Sequence, residues 1–181
     1  MARYRREIVT RWCRKCGRSD DSGAPAHCAL TSRIGDAATL VAARLRDNQI
    51  TLMTSLAEGL PAVMGDRIEL QQVLLNLIAN AIDAMERVAP ESRRIDISSA
   101  STSDQFVQVT VTDHGTGLHG VDVERMFMLS YTTKDSGTGV GLSVSRAIVE
   151  AHGGKLWAEQ HQESGATFCF TIPAYSSVAA A

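Results

Sequence analysis

Two glycine-rich segments, each joined to a regular element, constrain this chain more than any other feature. The first, Asp113-His-Gly-Thr-Gly117, follows a run from Val107 to Thr112 in which valines alternate with polar residues, the period of a half-buried strand. The second, Gly137-Thr-Gly-Val-Gly141-Leu142, opens a run with helical spacing that reaches Ala151. Glycines before a helix let backbone N–H groups approach an anion, and the helix dipole adds to the attraction. Together the segments predict a carboxylate and a phosphate cradle at the two ends of a nucleotide site.

Neither glycine segment matches the common phosphate-binding motifs. No Gly-Lys-Ser/Thr follows the glycines, which excludes the Walker pattern. In a Rossmann unit the glycines directly follow a strand and the acidic residue comes about twenty residues later, whereas here Asp113 comes first with glycines of its own. Taken alone, Gly137, Gly139 and Gly141 are equally compatible with an ordinary loop at the start of a helix.

Length and charge indicate one globular domain. The chain has 181 residues, 44% of them hydrophobic, and a net charge of −2. That length suits one full core with a short appendage, and the charge balance predicts no nucleic-acid partner. No apolar run approaches the roughly 20 residues that span a bilayer, and the N-terminus lacks the apolar stretch of a signal peptide. We therefore expect no membrane segment and a cytoplasmic location.

The two ends of the chain differ from its middle. Residues 1–33 are expected to be irregular and residues 175–181 to form a loose tail, which leaves residues 34–174 as the domain. The N-terminal segment carries Cys13-x-x-Cys16, followed by His27 and Cys28, residue types that bind zinc. Adjacent His and Cys rarely both bind one ion and no second Cys-x-x-Cys follows, so incidental cysteines in a tail are the alternative.

The middle of the chain predicts three helices separated by short strands. Asp36 is the expected N-cap of the first helix, and Asp66 that of the second and longest. The third is expected from about Thr138 to His152, with Gly153-Gly154 as its left-handed cap. Residues 118–136 lack a long periodic element, which is typical of an active-site lid or of a plain connecting loop. Strands are predicted over residues 50–56, 62–64, 95–99, 106–113, 155–159 and 166–172.

The longest helix carries two stripes. One is apolar and predicts the core contact; its members are Leu70, Leu74, Leu77, Ile78, Ala81, Ile82 and Met85. The other consists of Asn76, Asn80 and Asp83, which fall within roughly 60° of one another at 100° per residue. A solvated face is one interpretation. Solvated faces usually carry Lys, Glu, Gln or Arg, however, and Asn costs a helix roughly half a kcal/mol, so we expect the polar stripe to be functional.

Four motifs now stand in order along the chain, and together they identify a family. They are Asn76-Leu-Ile-Ala-Asn80-Ala, Asp113-x-Gly115-x-Gly117, Phe127 with Tyr131-Thr-Thr-Lys134, and Gly137-x-Gly139-x-Gly141-Leu142. In this order the chain resembles the ATP-binding catalytic domain of two-component sensor histidine kinases, in the superfamily of gyrase, Hsp90 and MutL. The stretch from Tyr131 to Ser143 is most similar to the FixL-type oxygen-sensor group. The resemblance implies an α/β two-layer sandwich, a mixed β-sheet with three main helices on one face (the Bergerat-type ATP-binding fold).

The resemblance also implies site residues. Asn80 would bind the Mg²⁺ that bridges the phosphates of ATP, Asp113 would accept a hydrogen bond from the adenine amino group, and Thr167 would support Asp113 and an ordered water. Gly117 would let the ring sit close, and Lys134 would approach the terminal phosphates from the lid. The implied contacts with Mg·ATP are Asn80, Asp83, Asp113, Gly115, Gly117, Tyr131, Thr132, Thr133, Lys134, Gly137, Thr138, Gly139, Val140, Gly141, Leu142 and Thr167.

The implied catalytic residues are Asn76, Asn80 and Lys134, and their identities favour kinase chemistry. ATPases of the superfamily have a Glu four residues before the metal Asn, as the general base for water. Here that position is Asn76, which cannot take a proton. A neutral histidine is already nucleophilic and needs no such base, so transfer to a histidine is expected over hydrolysis.

The expected partners follow from one part of the family pattern that this sequence does not contain, the phospho-acceptor histidine. None of the five histidines sits in the His-Glu-x-x-x-Pro-like context of a phospho-acceptor. We therefore expect a separate dimerisation and phospho-acceptor domain, a response regulator downstream, and a largely monomeric isolated domain. The alternatives are a nucleotide-binding regulatory module without transfer activity, and an anti-sigma-type serine kinase or stand-alone ATPase.

Overall fold

A five-stranded mixed sheet forms one layer of the computed structural model, which describes residues 27–120, 122–128, 139–161 and 164–175. Its strands have the order β2-β4-β5-β7-β6; β2 and β4 are parallel and the other neighbours antiparallel. A separate two-stranded antiparallel pair joins β1 to β3. The strands are β1 (His27–Cys28), β2 (Thr51–Leu56), β3 (Val63–Met64), β4 (Arg94–Ser101), β5 (Phe106–Asp113), β6 (Lys155–Gln160) and β7 (Ala166–Pro173).

Three helices form the second layer on one face of the sheet. They are α1 (Leu30–Asp47), α2 (Arg67–Ala84) and α3 (Gly141–Ala151). Two short 3₁₀ turns, Pro90–Ser92 and Arg125–Phe127, complete the described elements. Helix α2 lies between α1 and α3 and packs on β4 and β5. This arrangement confirms the predicted α/β sandwich with a mixed sheet. Within the described ranges, no helix is both long enough and apolar enough to cross a bilayer.

Alternation along β5 decides which of its side chains reach the helices. Val107, Val109 and Val111 are fully buried on the helix-facing side, and the intervening residues are only partly buried. Asp113 is two residues after Val111 and therefore lies on the same face of β5 as the valines. Its carboxylate points into the interface between the sheet and the helices. Strand geometry thus delivers a charged group to a buried position.

Helix α2 begins at the predicted N-cap. The Asp66 carboxylate accepts hydrogen bonds from the N–H groups of Ile68 (2.8 Å) and Glu69 (3.1 Å). The predicted apolar stripe is buried along the whole helix, as the seven members of its core face are each at most 3% exposed. Local capping and helical periodicity were therefore sufficient to predict α2.

The predicted starts of the other two helices are wrong. Helix α1 begins at Leu30, where buried Leu30 and Ile34 extend its core face toward the N-terminus, and its N-cap is Ala29. Asp36 lies within the helix and pairs with Arg33 at 2.7 Å. Helix α3 begins at Gly141, because Gly139 has φ +63°, outside the right-handed helical region. Strand β1 and the first turn of α1 lie before residue 34, in a segment that was predicted to be irregular. The domain boundaries at residues 34 and 174 stay predictions.

Replacing Asp66 with Ala should lower the free energy of unfolding by about 1 kcal/mol, because two N–H groups at the start of α2 lose their acceptor. Asp36→Ala is the matched control: its carboxylate is half exposed in an ion pair within one helix, which contributes at most about 0.5 kcal/mol. Urea unfolding of both variants measures the difference. Equal losses would contradict the assignment of Asp66 as the cap.

His152 joins the end of α3 to the start of α2. Its Nδ1 donates to the carbonyl of Ile148 (2.8 Å), and its Nε2 accepts from the backbone N–H of Asp66 (3.1 Å). These two roles require the neutral imidazole, and burial lowers the pKa of His152 below its ordinary value. The prediction of His152 as a helix C-terminal residue is confirmed, since it is the C-cap of α3.

Stability should therefore fall as the pH drops below about 6.5, the ordinary pKa of histidine. In that range the unfolded chain takes up a proton at His152 and the folded chain does not, so the unfolded state binds more protons and gains stability as pH falls. Above this range the His152 contribution is complete. Urea unfolding of the wild type and His152→Gln near pH 7.5 and 5.5 tests this. The variant should show the shallower pH dependence, and parallel curves would contradict it.

Candidate nucleotide site

Helix α2 connects the two ends of the predicted site. Asn76 on α2 contacts the first turn of α3, and Ala84 at its end contacts the turn after Asp113. Eight residues of helix separate these contacts, a span of roughly 12 Å at 1.5 Å per residue. Asn80 lies midway. The second glycine segment, Asn80 and the Asp113 turn are thus arranged in this order along α2. This is the order expected for groups that bind the phosphates, the metal and the base of a nucleoside triphosphate.

The carboxylate at the predicted base end is buried and fixed in orientation. Asp113 is only 2% exposed, and its Oδ1 accepts hydrogen bonds from the N–H groups of Gly115 (2.9 Å) and Ala166 (3.2 Å). Among the described residues Oδ2 has no hydrogen-bond partner. Burial raises the pKa of Asp113, and the two N–H donors oppose that shift. The free oxygen can accept from the amino group of a base.

The turn after Asp113 is compressed between two neighbouring backbones. A Cβ at Gly115 would lie 2.6 Å from the carbonyl oxygen of Ala84, and Thr116 N–H donates to that oxygen at 3.3 Å. On the other side, a Cβ at Gly165 would lie within 2.0 Å of the carbonyl oxygen of Asp113, and Gly165 has φ +93°. Only glycine fits either close approach. The turn is therefore held between the end of α2 and the β6–β7 loop.

The predicted phosphate end is the start of α3. The Asn76 Nδ2 donates to the carbonyl of Gly141 and to Ser145 Oγ, both at 3.1 Å, and its Oδ1 accepts from Gln72 Nε2 at 2.8 Å. Asn76 is thus committed to fixing α3 against α2. Asp66 caps the start of α2, whereas no described side chain caps the start of α3. Within the described ranges its first N–H groups have no side-chain acceptor, which is compatible with the anion site that Gly139 and Gly141 predict.

Asn80, the predicted metal ligand, has a side-chain amide group that is unpaired among the described residues. Its Nδ2 is buried and has no hydrogen-bond partner within the described part of the chain, which is costly for an amide. The amide nitrogen cannot bind a cation, but the amide oxygen Oδ1 is a ligand type that suits Mg²⁺, so the residue present fits the metal that the family implies. Asp83, about one turn further along α2, forms an ion pair with Arg44 of α1, in which Asp83 Oδ1 lies 3.5 Å from Arg44 Nη2.

Comparison with known proteins decides the family. Residues 65–176, more than half of the chain, match the family described as histidine kinase-, DNA gyrase B- and HSP90-like ATPases. The chain belongs to this ATPase family. The matched residues contain Asn76, Asn80, Asp113 and both glycine segments, so the match covers the site described above.

Relatives of this domain include sensor proteins and sensor histidine kinases. It is 41% identical to the sensor protein FixL of Bradyrhizobium diazoefficiens over 146 residues, and 35% identical to the sensor histidine kinase TmoS of Ectopseudomonas mendocina over 145. These alignments cover 81% and 80% of this chain but 28% and 15% of those proteins. The chain thus spans less than a third of either relative. The predicted resemblance to FixL-type kinases is confirmed.

Solved structures give the same fold. The catalytic domain of histidine kinase ThkA matches with a TM-score of 0.72 and 32% identity, covering 82% of this chain and 95% of that one. Full-length ShkA in complex with AMPPNP matches with a TM-score of 0.73 at 23% identity, covering 84% of this chain and 31% of that one. The domain described here therefore has the histidine kinase catalytic fold.

One predicted contact of the ATPase domain is wrong. Thr167 does not support Asp113: its Oγ1 lies 3.1 Å from Thr112 Oγ1, on the opposite face of the sheet. The register of β5 and β7 pairs Thr112 with Thr167, and alternate strand residues point to opposite faces. The N–H of Ala166, the preceding residue, supports Asp113 instead. We therefore leave Thr167 out of the proposed site.

The predicted lid of the ATPase domain is described only at its start. Met126 and Phe127 are buried, and the guanidinium of Arg146 on α3 lies 5.4 Å from the centre of the Phe127 ring. Phe127 thus fixes the chain to the helix layer. The other lid predictions, Tyr131, Thr132, Thr133 and Lys134, lie outside the described residues, as do Gly137 and Thr138 and the possible zinc ligands Cys13 and Cys16.

Several residues that build the site were missed from the sequence. Ser145 and Ala166 contact Asn76 and Asp113 directly, and Gln160 contacts the turn at Leu118. Ser145 carried a weak signal, since a serine within an apolar helical run is unusual and here it is fully buried. Ala166 acts through its own backbone N–H, and the side-chain amide of Gln160 binds backbone groups of distant residues, so neither leaves a pattern in one sequence.

Proposed function

We propose that this chain is the ATP-binding catalytic domain of a two-component sensor histidine kinase that transfers the γ-phosphate of Mg·ATP to a histidine outside this chain. The observation that carries the proposal is the buried Asp113 carboxylate, with Oδ1 held by two N–H groups and Oδ2 free. A buried, oriented acceptor next to a glycine turn is suited to reading the amino group of adenine. The family match and the kinase relatives support the same assignment.

The residues divide the work between base, metal and phosphates. Asp113 would orient the base, and the start of α3, which no described side chain caps, would donate N–H groups to the phosphates. Asn80 would hold Mg²⁺, which neutralises phosphate charge when it is bound. Lys134 is proposed to approach the terminal phosphates, Tyr131, Thr132 and Thr133 to complete the lid, and Gly137 and Thr138 to contact the nucleotide from the second glycine segment.

The side chain of Asn76 supports transfer over hydrolysis. Its amide already makes three hydrogen bonds, to Gly141, Ser145 and Gln72, and an amide cannot accept a proton from water. The acceptor histidine is proposed to come from a dimerisation and phospho-acceptor domain, and the phosphate to pass on to a response regulator. A cytoplasmic location and a monomeric isolated domain belong to the same proposal.

Incubation of the chain alone with γ-labelled Mg·ATP tests this proposal. We expect ATP to bind, hydrolysis to be very slow, and the five histidines to stay unlabelled, because no acceptor is held within the roughly 3–3.5 Å that in-line transfer needs. Fast hydrolysis would favour a stand-alone ATPase. Stoichiometric acid-labile label on this chain would contradict transfer to an outside histidine, and a failure to bind ATP would contradict the site.

A further inference from the structure

The side-chain amide of Gln160, the last residue of β6, spans the gap between two loops. Its Oε1 accepts from the N–H of Leu118 at 2.7 Å, and its Nε2 donates to the carbonyls of Gly165 at 3.0 Å and His161 at 3.2 Å. A longer contact of 3.5 Å joins Nε2 to His119 Nε2. A donor on one side and carbonyls on the other fix the orientation of the amide, because the flipped amide would lose all three shorter bonds.

Both loops held by Gln160 border the Asp113 carboxylate. Leu118 follows Gly117 in the turn after Asp113, and Gly165 precedes Ala166, whose N–H donates to Asp113 Oδ1. A Cβ at Gly117 would lie 2.6 Å from Gln160 Nε2, so the turn packs directly on this amide. Gly117 has φ +74°, which also favours glycine. One side chain therefore fixes the two segments that position the carboxylate.

We infer that Gln160 is a positioning residue for base recognition, which keeps Asp113 Oδ2 aligned with the amino group of the base and so sets the preference for adenine. The inference rests on the proposed function, because it requires Asp113 to read the base. Among the described residues, Gln160 contacts none of the proposed phosphate or metal groups, which lie toward Asn76 in the middle of α2. Its loss should therefore affect base selection more than triphosphate binding.

The test compares ATP with inosine triphosphate, which carries an oxygen in place of the amino group. Gln160→Glu keeps the acceptor for Leu118 but turns a carboxylate oxygen toward the carbonyls of Gly165 and His161. Gln160→Asn keeps the amide and is too short to span both loops. Gln108→Glu is the matched control, since Gln108 lies on the other face of β5 and contacts Thr110 at 3.4 Å. Calorimetry in Mg²⁺ gives both affinities, and thermal melting checks the fold.

We expect Gln160→Glu to lower ATP affinity about 5–50-fold, the scale of a misplaced buried polar partner, and to lower inosine triphosphate affinity much less. The ATP preference should fall at least about 5-fold, with a smaller fall in Gln160→Asn and none in Gln108→Glu. A merely structural role would lower the melting temperature and both affinities alike, and that result would overturn the inference. If Gln160→Glu does not fold, Gln160→Asn decides. Wild-type protein that does not bind ATP would overturn the proposed function as well.

Discussion

We expect Asn80→Ala to weaken the binding of Mg·ATP by roughly 10–100-fold, the range observed when a group that supports a metal site is removed. The binding of ATP without metal should change little. The reason is positional: Asn80 lies midway between the contacts of α2 with α3 and with the Asp113 turn, and its side-chain oxygen is a ligand type that suits Mg²⁺. Removing the side chain removes the proposed metal ligand and leaves both ends of the site in place.

Calorimetry with and without Mg²⁺ measures the two affinities separately. Asn48→Ala is the matched control, because Asn48 caps the end of α1 through a bond to the Arg44 carbonyl and takes no part in the site. That variant should bind Mg·ATP like the wild type. Equal losses of Mg·ATP and metal-free ATP in Asn80→Ala would count against Asn80 as a metal ligand.

The second large effect is expected from Asp113→Asn. Two N–H groups point at Oδ1, so the oxygen of the new amide must occupy that position and its NH₂ must replace Oδ2. The NH₂ then faces the adenine amino group, donor against donor. We expect ATP affinity to fall by about 5–150-fold, equivalent to 1–3 kcal/mol for an unmatched buried polar group.

The same substitution should favour a base with an oxygen at that position. Inosine triphosphate would meet the new NH₂ as an acceptor, so its affinity should hold or rise while that of ATP falls. Calorimetry with both nucleotides measures the change in preference. Near-native ATP affinity in Asp113→Asn would mean that the base is read elsewhere, and a parallel loss of both nucleotides would point to misfolding of the turn.

The sequence predicted those parts of the site that depend on local pattern. Alternation along β5 identified Asp113, and the helical spacing and cap of α2 identified Asn80. These signals are local because strand parity and helix periodicity are set within a few residues. The start of α1 was missed because Leu30 and Ile34 extend its core face beyond the more obvious cap signal at Asp36.

The parts that the sequence did not predict depend on distant segments. Gln160 and Leu118 are 42 residues apart, and Asn76 and Ser145 are 69 apart, so no local pattern records either contact. The error at Thr167 has a different cause. A one-residue shift in the register between two strands turns every side chain to the other face of the sheet. The sequence motif around Thr167 does not contain the register of β5 and β7, which places Ala166 rather than Thr167 beside Asp113.

Phosphate transfer in trans tests the central claim most directly. The chain is mixed with the dimerisation and phospho-acceptor domain of a related sensor kinase and with γ-labelled Mg·ATP, and acid-labile label is followed on each protein. We predict label on the acceptor histidine of the partner, none on this chain, and little transfer by Asn80→Ala. ATP binding without label on any of several acceptor domains would contradict a transfer activity and identify the chain as a nucleotide-binding regulatory module.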